Sequence, residues 1–375
     1  MHCSRPVRLR IKPALPKLLA LAAAFLVLSS PVAAEAHPRA AVVKSLPGRH
    51  VNADCYAANV PVSTPAIGRA QVYGQLCIPR AGKGVRRTVQ LLVPGTTYNH
   101  NYFDWPQDSA RYSYVTQALA AGYSTFNVDR LGTGRSTLPP AALVTLASET
   151  ETLHQVISSL RSGRIGHHAF ARVVWVGHSL GSALGWFEAQ RYHDVDAFVL
   201  TGIRHTAEQV SSAAPADDPA PPVFPRAMDD PKFAGKITDP GYLTTAPGVR
   251  GFAFYYAPNA GQSVIDEDEI LKDVTTEAEL AVSSTLSLPA AQAPSRAITV
   301  PTLVAVGDHD ASLCTPECSQ AALQASEQPY YSRKAHVHVA VVAGSGHDIQ
   351  LHKNARQTDT EILAWIRSVA GPGVR

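Results

Sequence analysis

Residues 173–185 read VVWVGHSLGSALG. Four apolar residues suited to a strand (Val173, Val174, Trp175, Val176) run directly into Gly177-His178-Ser179-Leu180-Gly181, after which Ser182, Ala183 and Gly185 keep a small, helix-compatible pattern. The stretch predicts strand, sharp turn and helix. A serine held on so tight a turn is pushed out of the backbone, and the glycines flanking it let strand and helix close on each other without a Cβ in the way. Ser179 is therefore a candidate nucleophile, and a serine hydroxyl in that role needs a base and a group that orients the base.

Outward from this stretch, strands and helices alternate. Val72, Gly74, Leu76 and Ile78 predict a strand closed by Pro79 and a Gly82-Lys83-Gly84 turn. Val89 to Val93 is a continuous apolar run of the kind buried on both faces of a parallel sheet, and it ends at Pro94-Gly95-Thr96-Thr97. A helix is expected over 107–121, a strand over 124–128 and a helix over 141–160. Further strands are expected over 197–200, 302–306 and 337–342. A closing amphipathic helix carries Ile362, Leu363, Trp365, Ile366 and Val369. This rhythm predicts an α/β fold with a doubly wound, mostly parallel sheet. Residues 37–63 carry scattered Pro without a clear period and read as an irregular arm.

Between 211 and 294 the composition changes. A Pro-, Ala-, Ser- and Asp-rich stretch leads into a segment without buried strands but with Phe233, Tyr242, Phe252, Phe254, Tyr255, Tyr256 and an acidic helix-like run near 266–280. It reads as an inserted helical cap or lid over the active edge of the sheet; an independent helical domain would look alike. The chain then divides into a leader at 1–36, a first part of the core at 37–210, the cap at 211–294 and a second part of the core at 295–375.

The leader has the form of a secretory signal: a basic start, an apolar run from Leu18 to Leu28 and small residues ending at Ala34 or Ala36, either of which fits cleavage. Cys3 precedes the apolar run, so no lipid attachment site follows it. Five basic residues (Arg5, Arg8, Arg10, Lys12, Lys17) stand against Glu35 in this leader, so the formal charge of +3 becomes −1 without it. A near-neutral chain offers no electrostatic handle for nucleic acid, and no later segment is apolar enough to span a bilayer. Export takes Cys3 away and leaves four cysteines for an oxidising compartment. Three pairings are possible, and proximity favours Cys55 with Cys77 and Cys314 with Cys318. Neither these cysteines nor His154, His167, His168, His336, His338 and His352 have metal-ligand spacing, so no metal and no cofactor is expected.

One glycine motif tests a nucleotide reading. Asp129-Arg130-Leu131-Gly132-Thr133-Gly134-Arg135-Ser136 follows a strand, but Thr137 stands where a dinucleotide fingerprint needs glycine and Pro139-Pro140 interrupt the helix that should follow. A tight structural turn is the better reading.

Partners for Ser179 occur at the ends of two later strands, in Gly307-Asp308-His309-Asp310 and Gly344-Ser345-Gly346-His347. In an open parallel sheet the carboxyl edge is where ligands bind, so these segments converge there. His347 would take the serine proton, and a carboxylate on its far nitrogen would fix the tautomer.

With these motifs the chain resembles the α/β-hydrolase superfamily, and within it esterase- and lipase-like serine hydrolases. The resemblance runs from about Val72 to Val369. It rests on Gly177-His178-Ser179-Leu180-Gly181, the Gly307-x-x-Asp310 turn, the Gly346-His347 turn and Asp129-x-x-Gly132-x-Gly134-x-Ser136. It implies a Ser179, Asp310, His347 triad, with Asp310 preferred to Asp308 because the family's turn places the acid third after glycine. It also implies an oxyanion hole from the Leu180 N–H and a donor in the loop after Val93, where Thr96 is favoured. That loop offers Pro94-Gly95 in place of the family's common His-Gly pattern. Thr97, Tyr98 and the rest of the loop to Phe103 are assigned to the substrate pocket. His178 adjoins the pocket too, although it and His309 read more readily as structural residues.

The implied function is a secreted serine hydrolase that cleaves a small-molecule or lipid-like carboxylic ester through an acyl-enzyme. Lactonase or aminopeptidase activity on the same triad, and a non-catalytic binding protein of this fold, are the alternatives. The pattern sets no oligomeric state.

Overall fold

The computed structural model describes residues 40–80, 87–206, 223–314 and 318–371. The leader at 1–36, the Gly82-Lys83-Gly84 turn and most of the linker before Pro225 lie outside them.

Nine strands form the main sheet: β1 (Val42–Ser45), β2 (Ala53–Thr64), β3 (Gly68–Pro79), β4 (Thr88–Val93), β5 (Ser124–Val128), β6 (Arg172–His178), β7 (Ala197–Thr201) and, after the short β8 (Tyr242–Leu243) and β9 (Thr275–Thr276), β10 (Thr302–Gly307) and β11 (His338–Val342). Their order is β1-β2-β3-β5-β4-β6-β7-β10-β11. Pairing is antiparallel from β1 to β5 across β2 and β3, and parallel from β5 to β11. The sheet is thus the mostly parallel one that the alternation predicts.

Side-chain alternation explains why the central strands are mostly apolar. Leu91, Val93, Trp175, Leu200 and Val304 point to one face, where they pack with Leu153, Val156 and Leu160 of the helix Leu146–Arg161 and Leu184 of the helix Leu180–Arg191. Leu92, Val174, Val176, Val199 and Leu303 point to the other, against Val115 and Leu119 of the helix Tyr114–Ala120 and Ile362 and Ile366 of the helix Ala355–Val369. A strand covered on both faces is apolar at most positions; buried Gln90 is the exception in β4, its Oε1 accepting from Tyr114 Oη at 2.7 Å.

Two expectations are corrected. The arm over 37–63 is not irregular: it forms β1 and the twelve-residue β2. Buried Ala58, Val60 and Val62 do alternate there, but small Ala and the strand-breaking Pro61 hide the period. Pro61 lies past the stretch of β2 that β1 covers, an edge position where a sheet tolerates proline. The helix expected over 107–121 is two short helices, Ser109–Tyr112 and Tyr114–Ala120. Ser113 breaks it because its hydroxyl does two jobs, accepting the Thr116 N–H at 3.0 Å and donating to Asp104 Oδ1 at 2.7 Å. The region 223–294 adds no strand to the main sheet; it holds short helices, the helix Gln262–Leu271 and the β8–β9 ladder. Both cysteine pairs favoured by proximity are disulfides, Cys55–Cys77 across β2 and β3 and Cys314–Cys318 beyond β10.

The Asp129 to Ser136 motif is a turn. Asp129 accepts the His100 and Arg135 N–H groups, each at 2.8 Å, and a Cβ on Gly134 (φ 54°) would lie 2.2 Å from its Oδ2. No phosphate cradle is left between the glycines, because the carboxylate fills it.

Candidate active site

Ser179 stands between β6 and the helix Leu180–Arg191 at φ 51°, ψ −118°, a conformation that costs a non-glycine residue free energy and is held by its surroundings. Its N–H donates to Thr201 O at 2.8 Å, and Ser182 Oγ donates to the same carbonyl at 2.8 Å. The two flanking glycines serve close approach. A Cβ on Gly177 would lie 2.6 Å from Gly181 O, and one on Gly181 would lie 2.0 Å from Val93 O. The elbow is therefore wedged against both its own helix and the end of β4.

The residues after β10 and β11 meet at this edge. His347 Nδ1 is 2.8 Å from Asp310 Oδ2, and the carboxylate is fully buried. Its Oδ1 accepts the Ser312 and Leu313 N–H groups at 2.9 and 3.1 Å. Asp308 is turned elsewhere, with Oδ1 accepting the Ser345 N–H at 3.2 Å, and His309 stacks on Tyr256 with ring centroids 3.7 Å apart. Burial draws the His347 imidazole down, but the charge and hydrogen bond of Asp310, helped by Asp348, outweigh it and hold the proton above the ordinary histidine value.

Ser179 and His347 line one cavity of about 150 Å³ together with Thr96, Tyr98, His178 and Leu180. Its remaining wall is apolar and comes partly from the inserted segment, through Phe254, Leu280 and Leu286. Leu180 opens its helix, where an N–H has no helical acceptor. Neither its amide nor that of Thr96 donates to an acceptor among the described residues. The two loops touch: a Cβ on Gly95 would lie 3.0 Å from Ser179 Cβ.

The sequence model of the alpha/beta hydrolase family matches residues 90–358. The chain belongs to that family. Solved structures of similar fold include a carboxylesterase from the thaumarchaeon Nitrososphaera gargenis, 13% identical, covering 82% of this chain and 98% of its own with a TM-score of 0.51. The peroxisomal alpha-beta-hydrolase Lpx1 of Saccharomyces cerevisiae is 13% identical over 85% and 90% of the two chains, with a TM-score of 0.51. Tomato methylketone synthase I is 12% identical over 76% and 99%, with a TM-score of 0.51. No curated protein matches the sequence.

In this family member the pocket loop departs from its sequence assignment. Tyr98 reaches the cavity, but the side chain of Thr97 does not. Thr97 has φ 59°, is fully buried, and accepts from Arg250 Nη1 at 2.9 Å. Tyr102 and Phe103 are buried behind the wall, Tyr102 stacking on His178 at 4.2 Å between centroids. Loops turn their aromatic residues inward when a core is available to receive them, and here the face under β4 and β6 is that core.

A buried polar network also runs behind the cavity. Tyr98 Oη donates to Asp348 Oδ2 at 2.5 Å and lies 2.9 Å from Asp268 Oδ2. Tyr255 Oη reaches the same Asp268 oxygen at 3.0 Å, and Arg250 Nη2 donates to Asp268 Oδ1 at 2.8 Å. His178 Nε2 is 2.9 Å from Asp348 Oδ1, off the axis of a good hydrogen bond. Burial first, then the neighbouring His347, keeps His178 neutral by holding its pKa well below the ordinary value. On the other side, Arg130 pairs with buried Glu149 and Glu279 and donates to Gly95 O at 3.2 Å, which fixes the loop that carries Thr96. Arg250 and Asp348 carried no signal in the sequence, and Asp268 and Glu279 were visible only as members of the acidic run near 266–280, because the partners of all four are distant in the chain.

Proposed function

We propose that this α/β hydrolase is a secreted serine esterase with Ser179 as nucleophile, His347 as general base and Asp310 as the orienting acid. The observation that carries the reading is the His347 Nδ1 to Asp310 Oδ2 contact of 2.8 Å beside a cavity that Ser179 and His347 both line. Ser179 Oγ attacks the acyl carbon while His347 takes its proton. The oxyanion is held by the Leu180 and Thr96 N–H groups, and His347 returns the proton to the leaving alcohol. Water activated by the same imidazole then hydrolyses the acyl-enzyme. The segment 211–294 acts as the cap, and the leader with two disulfides supports export.

The cavity favours a short acyl group. At about 150 Å³, it is comparable with an engineered apolar cavity of about 150 Å³ that accepts benzene. Among the described residues its lining holds no carboxylate to receive a substrate ammonium, which favours an ester over an amino-acyl amide.

A fluorophosphonate probe tests the assignment. It is expected to add covalently to the peptide that contains Ser179, and acetyl to butyryl p-nitrophenyl esters are expected to turn over faster than octanoyl and longer ones. Equal labelling of folded Ser179→Ala overturns it.

The raised His347 pKa adds a pH test. The base must be neutral to accept the serine proton, so activity is lost as pH falls through its folded-state pKa, which lies above the ordinary value of 6.5. The acid limb of kcat/KM is therefore expected above pH 6.5 in a steady-state profile on p-nitrophenyl acetate. A limb below it contradicts the raised pKa of His347.

A further inference from the structure

We propose that His154, Glu188 and Asp194 form a binding site for a divalent transition-metal ion, away from the cavity that holds Ser179. One side chain comes from the helix Leu146–Arg161, one from the helix Leu180–Arg191 that follows the elbow, and one from the loop that enters β7. A ligand atom from each lies within 4.8 Å of the other two.

The first observation is an uncompensated buried acid. Glu188 is fully buried, and no donor group among the described residues reaches either of its carboxyl oxygens; its polar neighbour is another carboxylate, that of Asp194, whose Oδ1 receives no donor either. A buried charge without a partner is costly, so such an acid needs a proton or a cation. The basic side chains nearby are committed. Arg161 donates to Asp194 O, Ala171 O and Asp196 Oδ2. Arg191 pairs with Glu151 at 3.3 Å.

The second observation is the third ligand. Two acids that only share a proton need no imidazole, yet His154 Nδ1 lies 2.8 Å from Asp194 Oδ2. In the metal-free protein that separation is a hydrogen bond, and the two atoms move apart by about 0.5 Å to become neighbouring ligands of a tetrahedral ion at bond lengths of about 2.0–2.2 Å. The ring is fixed from behind by stacking on Tyr192, 3.8 Å between centroids, and Tyr192 is in turn held by its hydroxyl on Glu151 Oε2 at 2.5 Å. Oriented imidazoles of this kind are typical of metal ligands. His154 and Asp194 keep 28% and 20% of their side-chain surface exposed, which lets an ion in and lets water complete its coordination. One imidazole with two carboxylates suits zinc or manganese better than an all-oxygen cation such as calcium. The ion would join the elbow's own helix to its neighbour.

The test is isothermal titration of EDTA-stripped, tag-free protein with ZnCl2, with CaCl2 as a parallel arm and thermal melting as a second readout. One Zn2+ per chain, a raised Tm and weaker Ca2+ uptake are expected. Glu188→Gln, which keeps the shape of the side chain but removes the carboxylate, is expected to weaken Zn2+ binding by at least about tenfold, and the metal-free melting curve checks that the variant folds. His154→Ala is expected to weaken it as well. Absence of Zn2+ uptake by the wild-type protein, as from acids that share only a proton, overturns the site. So does uptake unchanged in both variants, or Ca2+ bound more tightly than Zn2+.

Discussion

Asp310→Asn is expected to lower kcat for p-nitrophenyl acetate by about 10⁴-fold while leaving the fold intact, by analogy with the loss of the orienting acid in serine-protease triads. The hydrogen bonds dictate why. Asp310 Oδ1 accepts two backbone N–H groups, from Ser312 and Leu313, and only Oδ2 faces His347 Nδ1. In the asparagine variant those N–H groups claim the carbonyl oxygen and turn the amide NH2 toward the imidazole. An NH2 donates, so Nδ1 must accept, the ring proton moves to Nε2, and the nitrogen meant to take the Ser179 proton is already occupied. KM is expected to move little, since Asp310 does not line the cavity. Asp308→Asn, whose carboxylate binds the Ser345 N–H instead, is the control and is expected to stay within a few-fold of wild type. Near-wild-type turnover by Asp310→Asn would transfer the acid role to Asp348, the other buried carboxylate beside His347.

Removing Arg250 is expected to produce the largest stability loss. Its guanidinium and the Asp268 carboxylate are both fully buried and hydrogen-bonded, and Arg250 also reaches Thr97 and Thr245 and lies 4.2 Å from the Tyr98 ring centroid. Arg250→Met fills much of the same volume but strands Asp268 with Asp348 nearby, a situation that typically costs about 3–5 kcal/mol. The double variant Arg250→Met/Asp268→Asn removes the stranded charge and is expected to recover a large part of that loss in urea denaturation. With Asp268→Asn alone as the fourth corner, the double-mutant cycle measures the coupling. A loss under about 1 kcal/mol in the single variant would mean that water reaches the pair after all. Because the network joins the inserted segment to the loop carrying Thr96, the variant should also slow ester turnover.

The elbow was legible before any fold was known, since a strand, two glycines around a serine and a small-residue helix are all local features. So were the buried strands β4, β6, β7 and β10, whose mostly apolar runs report cover on both faces. β2 was not, because alanines weaken its alternation and Pro61 argues against a strand unless the edge position is known. In the pocket loop Thr96 and Tyr98 reach the cavity, whereas Thr97, Tyr102 and Phe103 turn away from it, because composition does not tell which side of a loop faces a cavity. Among the described residues no helix is long and apolar enough to cross a membrane.

What the sequence alone laid out is the order of the candidate chemistry along the chain: a candidate nucleophile at Ser179, candidate acids at 308 and 310 and a candidate base at 347, each at the end of a strand. Only the tertiary structure decided which acid meets the base, that Asp348 and Arg250 stand behind the cavity, and that His154, Glu188 and Asp194 come together. The physical reason is range. Periodicity and turn chemistry act between residues a few positions apart, whereas the pairing of charges depends on desolvation, which exists only once distant segments have packed and excluded water.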